Sequence, residues 1–199
     1  MKLYYAPGAC SQAAHILLHE TEFPHESEAV DLRDHRTTTG RDYYEINPKG
    51  AVPALAIGTE ILTENGAILQ YIGDKAGNDT LLPGAGMKRY RVIEWIAYLA
   101  SDLHKGFGPL FNPASSEELK QATRDLIGKE FDFIEGEIQG RDYLAGPSMT
   151  VADPYLFAML GWTGMHGIDL SRWPNLAALR QRMEQRDSVK AAMQAEGLA

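Results

Sequence analysis

Cys10 is the only cysteine in the chain, and its setting is one that activates a thiol. It follows the short apolar run Leu3-Tyr4-Tyr5 and the turn signal Pro7-Gly8-Ala9. It opens a segment, residues 11–21, in which Ala13, Ile16 and Leu17 recur at helical spacing. A thiol at a helix start faces unpaired N–H groups and the positive end of the helix dipole, and both favour the thiolate. The expected pKa is therefore below about 8.5, the value of a free thiol. Such a sulfur attacks in its own right, or it marks the place where another molecule's sulfur is activated.

A second group with chemistry is His104, on a helical stripe with Ile93, Ala97 and Ala100. It reads as a core histidine satisfied by a carbonyl, or as a group that donates to a thiolate or assists a proton transfer. His15 and His19 are four apart on one helix, with Glu20 and Glu22 near. That spacing suits zinc, but no second pair completes a tetrahedron in the sequence, so no metal is expected.

Two further segments could hold a ligand. In Ile46-Asn47-Pro48-Lys49-Gly50-Ala51-Val52-Pro53-Ala54-Leu55, a proline heads an apolar strand and withdraws a ladder N–H. Either the Val52-Pro53 bond is cis and leaves the Val52 backbone free to pair with a peptide-like ligand, or this is a plain turn before an edge strand. Glu64-Asn65 opens a helical stripe of Ala67, Ile68, Tyr71 and Ile72. The pair caps the helix, or it holds an amino-acid head: the helix end takes a carboxylate and Glu64 an ammonium.

The elements that must position these groups fall into two textures. Residues 2–5, 28–32, 54–57 and 61–63 read as strands, residues 11–21 and 65–75 as helices, and 42–46 as a short helix after a polar loop, 33–41. The order β-α-β-α-β-β-α predicts a small α/β sandwich over residues 1–80. Residues 81–86, with Pro83, Gly84 and Gly86, read as a linker. Beyond it, residues 87–111, 117–138, 150–162, 176–183 and 188–194 read as helices, an all-α bundle over 87–199. Tyr155, Met159 and Trp162 belong to its core or to an apolar substrate wall.

At 199 residues, 44% hydrophobic and 23% charged, the chain is ordinary for a globular protein. Its net charge of −8, with no basic run, argues against nucleic acid. A single cysteine excludes an internal disulfide and points to a reducing, cytoplasmic setting. No secretory apolar segment and no 18-residue apolar run are present, so no membrane span is expected.

Taken together, Cys10, Val52-Pro53 and Glu64-Asn65 resemble the thioredoxin-like domain of cytosolic glutathione S-transferases. Thr150-Val151-Ala152-Asp153 resembles that family's capping box. The stretches KLYYAPGACS, INPKGAVP, ILTENGAILQYI and LHKGFGPLF resemble the bacterial beta class over nearly the whole chain. The resemblance implies a thioredoxin-like N-terminal domain with a helical C-terminal domain, glutathione as co-substrate, a homodimer, and transfer of glutathione to a small hydrophobic electrophile.

It further implies that the Cys10 sulfur faces the glutathione thiol. The Val52 backbone, ahead of Pro53, would pair with the cysteinyl part, and Glu64 and Asn65 would hold the γ-glutamyl head. Ser101 and His104, with Lys105 beside them, would reach the site from the long helix. His35 stands where many relatives carry lysine for the glycyl carboxylate, with Arg36 as a substitute cation; Ala97 stands where relatives often have asparagine. Phe107 and Trp162 would form the hydrophobic wall. Other classes of the family use hydroxyl groups, which makes Tyr5 and Ser11 secondary candidates. Two rival functions are a glutathione-dependent thiol transferase or peroxidase working through a mixed disulfide at Cys10, and a non-enzymatic carrier of hydrophobic ligands.

Overall fold

A computed structural model of the chain describes all residues, 1–199. The first half is a five-stranded sheet in the order β3-β2-β1-β4-β5, made of β1 (Lys2–Tyr5), β2 (Glu26–Asp31), β3 (Arg36–Thr37), β4 (Ala54–Ile57) and β5 (Glu60–Thr63). β1 runs parallel to β2 and antiparallel to β4, with Leu3 opposite Ser27 on one side and Leu55 on the other. Its central place explains why Leu3, Tyr4 and Tyr5 are all buried.

Helix α1 (Gln12–Glu20) is buried nearly all round: Ala13, Ala14, Ile16, Leu17 and Leu18 are fully buried, and the polar Gln12 and His15 are buried with them. It is sandwiched, packing on β1, on α2 (Asn65–Ala76) and on two helices of the second half. α2 stops at Gly77, which supplies the left-handed turn, φ 60°, that closes many helix ends.

The second half is helical, as expected: α3 (Gly86–Tyr98), α4 (Gly108–Phe111), α5 (Glu117–Glu137), α6 (Asp153–Gly161), α7 (Pro174–Glu184) and α8 (Asp187–Ala195). The segment 87–111 is not one continuous α-helix. After α3 the chain widens into a π-helical turn, Leu99–His104, before the short α4. An extra residue in that turn rotates everything after it relative to an α-helical stripe, so the Ile93–Ala97–Ala100–His104 register of the sequence does not extend unbroken to His104.

The segment 81–86 is anchored. Leu81 and Leu82 are buried, Leu81 O accepts the Val151 N–H at 3.0 Å, and Leu82 lies against Gly73 of α2. Asp153 is fully buried at the start of α6; its carboxylate accepts the Thr150 N–H at 2.7 Å, the Thr150 hydroxyl at 2.8 Å and the Leu144 N–H at 2.8 Å. This differs from the reciprocal box, because the Asp153 N–H turns to the Thr150 carbonyl instead of its hydroxyl. One core runs through both halves, from Leu3 and Ile16 through Ile68 to Val92 and Leu156.

Candidate active site

A cleft of about 250 Å³ lies where the start of α1, the β4 entry, the start of α2 and the π-helical turn meet. Cys10, Val52, Pro53, Glu64, Asn65, His104 and Lys105 all line it. Larger grooves exist elsewhere, but none brings a thiol, an imidazole and a helix start together.

Cys10 sits in the turn before α1 and is 8% exposed. Its Sγ donates to the Val52 carbonyl at 3.3 Å. The expectation of a lowered pKa is overturned: burial pushes the thiol up to about 12, outweighing the backbone N–H groups of Cys10 and Ser11 that pull it down. The helix start is present, but the apolar packing that encloses the sulfur penalises the anion more than the N–H groups favour it. Cys10 is thus a hydrogen-bond donor at neutral pH.

The Val52-Pro53 bond is cis, the first of the two readings left open by the sequence. No group of the chain accepts from the Val52 N–H. Glu64 precedes α2 with φ 72°, a left-handed value rare outside glycine and of a kind that clusters at ligand sites. Its carboxylate pairs with Lys49 Nζ. Asn65 Nδ2 donates to Cys10 O at 2.8 Å and ties α2 to the thiol turn, while Asn65 Oδ1 is buried with no partner.

His104 is half-buried, and burial holds it below its usual pKa. Its Nδ1 lies 2.7 Å from the hydroxyl of Tyr155 on α6. Burial, then the neighbouring Cys10, pushes that phenol well above its usual range, so the O–H stays protonated and donates to Nδ1. Tyr155 also lines the cleft. Helical spacing places it in the core; only the fold shows that its hydroxyl serves His104. Lys105 is exposed at the rim with no ion pair.

Several expected residues lie elsewhere. Ser101 is exposed on the π-helical turn and bonds to Ala97 O and to Asp102, outside the cleft lining. The His35 ring lies 4.5 Å from that of Tyr44, over Gly50, beside the cleft and not in its lining. Arg36 donates to Gly40 O within its own loop. The Tyr5 hydroxyl donates to Ala195 O, and Ser11 Oγ is engaged with Ala6, so both serve the scaffold. Phe107 is fully buried and Trp162 is 3% exposed; they pack edge to face at 5.1 Å, and Trp162 Nε1 donates to Gly8 O at 2.8 Å. The exposed member of this aromatic group is Phe111, edge-on to Trp162 at 5.1 Å.

A thioredoxin-like sheet, a helical second domain and a junction cleft holding one protonated thiol define a glutathione-transferase type of protein. Comparison with known proteins gives the family. Family models described as "Glutathione S-transferase, N-terminal domain" and "Glutathione S-transferase, C-terminal domain" match residues 1–74 and 99–187. The chain is 42% identical over 201 residues to glutathione S-transferase GstA of Escherichia coli O157:H7, with all of both chains covered. Among solved structures it superposes on the beta class glutathione S-transferase of Sphingomonas chungbukensis with TM-score 0.96, 45% identity and full coverage of both chains. It superposes on a sphingomonad glutathione S-transferase complexed with glutathione with TM-score 0.95, 44% identity and full coverage of both. The chain belongs to the glutathione S-transferase family.

Proposed function

We infer that the chain is an enzyme that conjugates the thiol of glutathione to hydrophobic electrophiles. The observation that carries this reading is the convergence on one cleft of a protonated thiol, an unpaired backbone N–H at Val52 and the start of α2. A cysteinyl-containing tripeptide fits that set. Val52 offers an N–H and a carbonyl for strand-like pairing. The N-terminus of α2 takes a carboxylate, and Asn65 Oδ1, buried without a partner, takes a donor.

The step is a substitution or addition. The glutathione sulfur gives up its proton to solvent and attacks the electrophilic carbon to form a carbon–sulfur bond. In substitution the leaving group departs with its electron pair; in addition the π electrons move onto the acceptor, which takes a proton back from solvent. The chain's own part is to favour the thiolate of glutathione. Cys10 turns its S–H from the Val52 carbonyl to the glutathione sulfur, and His104, fixed by Tyr155, presents its other ring nitrogen. A thiol held near pKa 12 suits this donor role and opposes the mixed-disulfide reading, which needs a Cys10 thiolate.

Lys105 is the rim cation proposed for the glycyl carboxylate, with Arg36 bonded within its own loop and the His35 ring packed on Tyr44 outside the cleft lining. Phe111 supplies the exposed apolar surface for the electrophile, backed by Phe107 and Trp162. A homodimer is proposed as well, supported by the exposed apolar side chains of Met87, Tyr90 and Phe133; light scattering at micromolar concentration checks it. The single cysteine suits a cytoplasmic setting. Conjugation of a nitroaromatic halide with reduced glutathione tests the activity: turnover above the uncatalysed rate supports it, and glutathione binding without turnover supports a carrier.

A further inference from the structure

Three imidazoles meet at a place the conjugation site does not use. His15 and His19 lie one turn apart on α1, and their rings stack at 5.2 Å and 29°. His25, at the end of the loop entering β2, stands edge-on to both, at 5.9 Å from His15 and 5.0 Å from His19. Each of the three offers a ring nitrogen within 4.8 Å of the others. Spacing alone shows the helical pair; the third member comes from the turn that joins α1 to β2.

The surroundings orient two of these rings. His15 Nδ1 is bound at 2.9 Å to Glu196, with side chains 1% and 0% exposed, and His25 Nδ1 donates to the Phe23 carbonyl at 2.8 Å. A carboxylate and a carbonyl on Nδ1 leave Nε2 as the free ring nitrogen, the arrangement that prepares histidines for a metal. His15 Nε2 and His19 Nε2 are both buried with no partner. Leaving such nitrogens unsatisfied is costly; a shared ion accounts for both at once. His19 and His25 are half-exposed, so an ion reaches the cluster from solvent and keeps one position for water.

We propose that His15, His19 and His25 form a binding site for a divalent transition-metal ion, Zn²⁺ by ligand type, separate from the glutathione cleft. Three imidazoles with an open fourth position are a common zinc set. Zn–N bonds of about 2.1 Å bring the ring nitrogens to within about 3.5 Å of one another, closer than their present limit of 4.8 Å, so side-chain rotation closes the site. Through Glu196, which also accepts the Gly8 N–H at 2.9 Å, the ion braces the turn that leads to Cys10.

The test titrates chelator-treated protein with Zn²⁺ against a colorimetric competitor. One ion per chain is expected, with affinity at least tenfold weaker in His25→Ala and in His19→Ala and unchanged in Cys10→Ala. His25 is in a loop, so its variant folds even if substitutions on α1 perturb the core. Zn²⁺ at a hundredfold excess over its Kd is expected to raise Tm by roughly 5–10 °C in the parent chain and not in His25→Ala. Co²⁺ as a probe should give ligand-field bands without thiolate charge transfer. Undiminished affinity in His25→Ala, loss of binding in Cys10→Ala, a thiolate-to-cobalt band, or no binding at all overturns the proposal.

Discussion

The hydroxyl of Tyr155 donates to Nδ1 of His104 at 2.7 Å, across the junction between α6 and the π-helical turn. That bond fixes which ring nitrogen of His104 is left for the cleft. Burial holds the imidazole below its usual pKa and the phenol above its own, so the pair is neutral at pH 7. In the proposed function, Tyr155 acts through His104 as a positioning residue. In Tyr155→Phe, turnover is expected to fall roughly tenfold, the worth of one buried hydrogen bond, with glutathione affinity nearly unchanged. His104→Ala is expected to lower turnover more than affinity. Steady-state kinetics beside calorimetric glutathione binding separate the two quantities; unchanged turnover in either variant contradicts this role.

Cys10 should be a poor nucleophile in the free protein. With its thiol pushed up to about 12, alkylation by iodoacetamide is expected to be far slower at pH 7 than that of a free thiol. The rate should rise with pH without levelling off below pH 9. A plateau with a midpoint under about 8.5 would restore the thiolate implied by the helix start alone.

Acid stability rests partly on Glu28 of β2. Burial raises the Glu28 carboxyl, but hydrogen bonds from Lys2, Thr39 and Thr37 lower it further, to about 2. Its folded pKa therefore lies below its unfolded value of about 4.3. Its stabilisation is present above about pH 4.3 and is lost as pH falls toward 2. Glu28→Gln is expected to cost about 2 kcal/mol at pH 7, a deficit that shrinks steadily below pH 4. Urea unfolding across that range measures it.

The contact between the two halves is tight at Gly73. A Cβ there would lie 2.8 Å from Leu82 Cβ and 2.9 Å from Val151 Cγ1, both in the buried seam. Gly73→Ala gains about 1 kcal/mol of helix propensity, yet overpacking outweighs it. A net loss of roughly 1–2 kcal/mol is expected in chemical denaturation. A stabilised variant would mean that the seam yields easily.

The elements read from periodicity alone match the structure closely where the signal is local. Residues 2–5 and 54–57 are strands with the bounds expected, and α2 and α5 begin at the expected Asn65 and Glu117. β3 has only two residues, Arg36–Thr37, too short to show alternation, and so reads as part of a polar loop. The π-helical turn has no compositional mark, because Leu99–His104 is as compatible with an α-helix.

Cys10, Val52-Pro53 and Glu64-Asn65, which line one cleft, are legible because turns and helix starts announce themselves; His104, carried into the same cleft by the π-helical turn, reads as core by periodicity and is singled out only by the family resemblance. The protonation state of Cys10 is not legible, since it depends on what packs over the sulfur. Tyr155, Phe111 and the approach of His25 to His15 likewise depend on which faces tertiary folding brings together.

The central claim is that the nucleophile is the sulfur of glutathione, with Cys10 as a donor. The most direct test is the rate of conjugation of a nitroaromatic halide by Cys10→Ala, with intact mass recorded after exposure of the parent chain to oxidised glutathione. Retained conjugation, reduced by no more than about tenfold, and no lasting adduct are predicted. Complete loss of conjugation in the variant, together with a reducible single glutathione adduct on Cys10 in the parent, would contradict the account and make Cys10 itself the attacking sulfur.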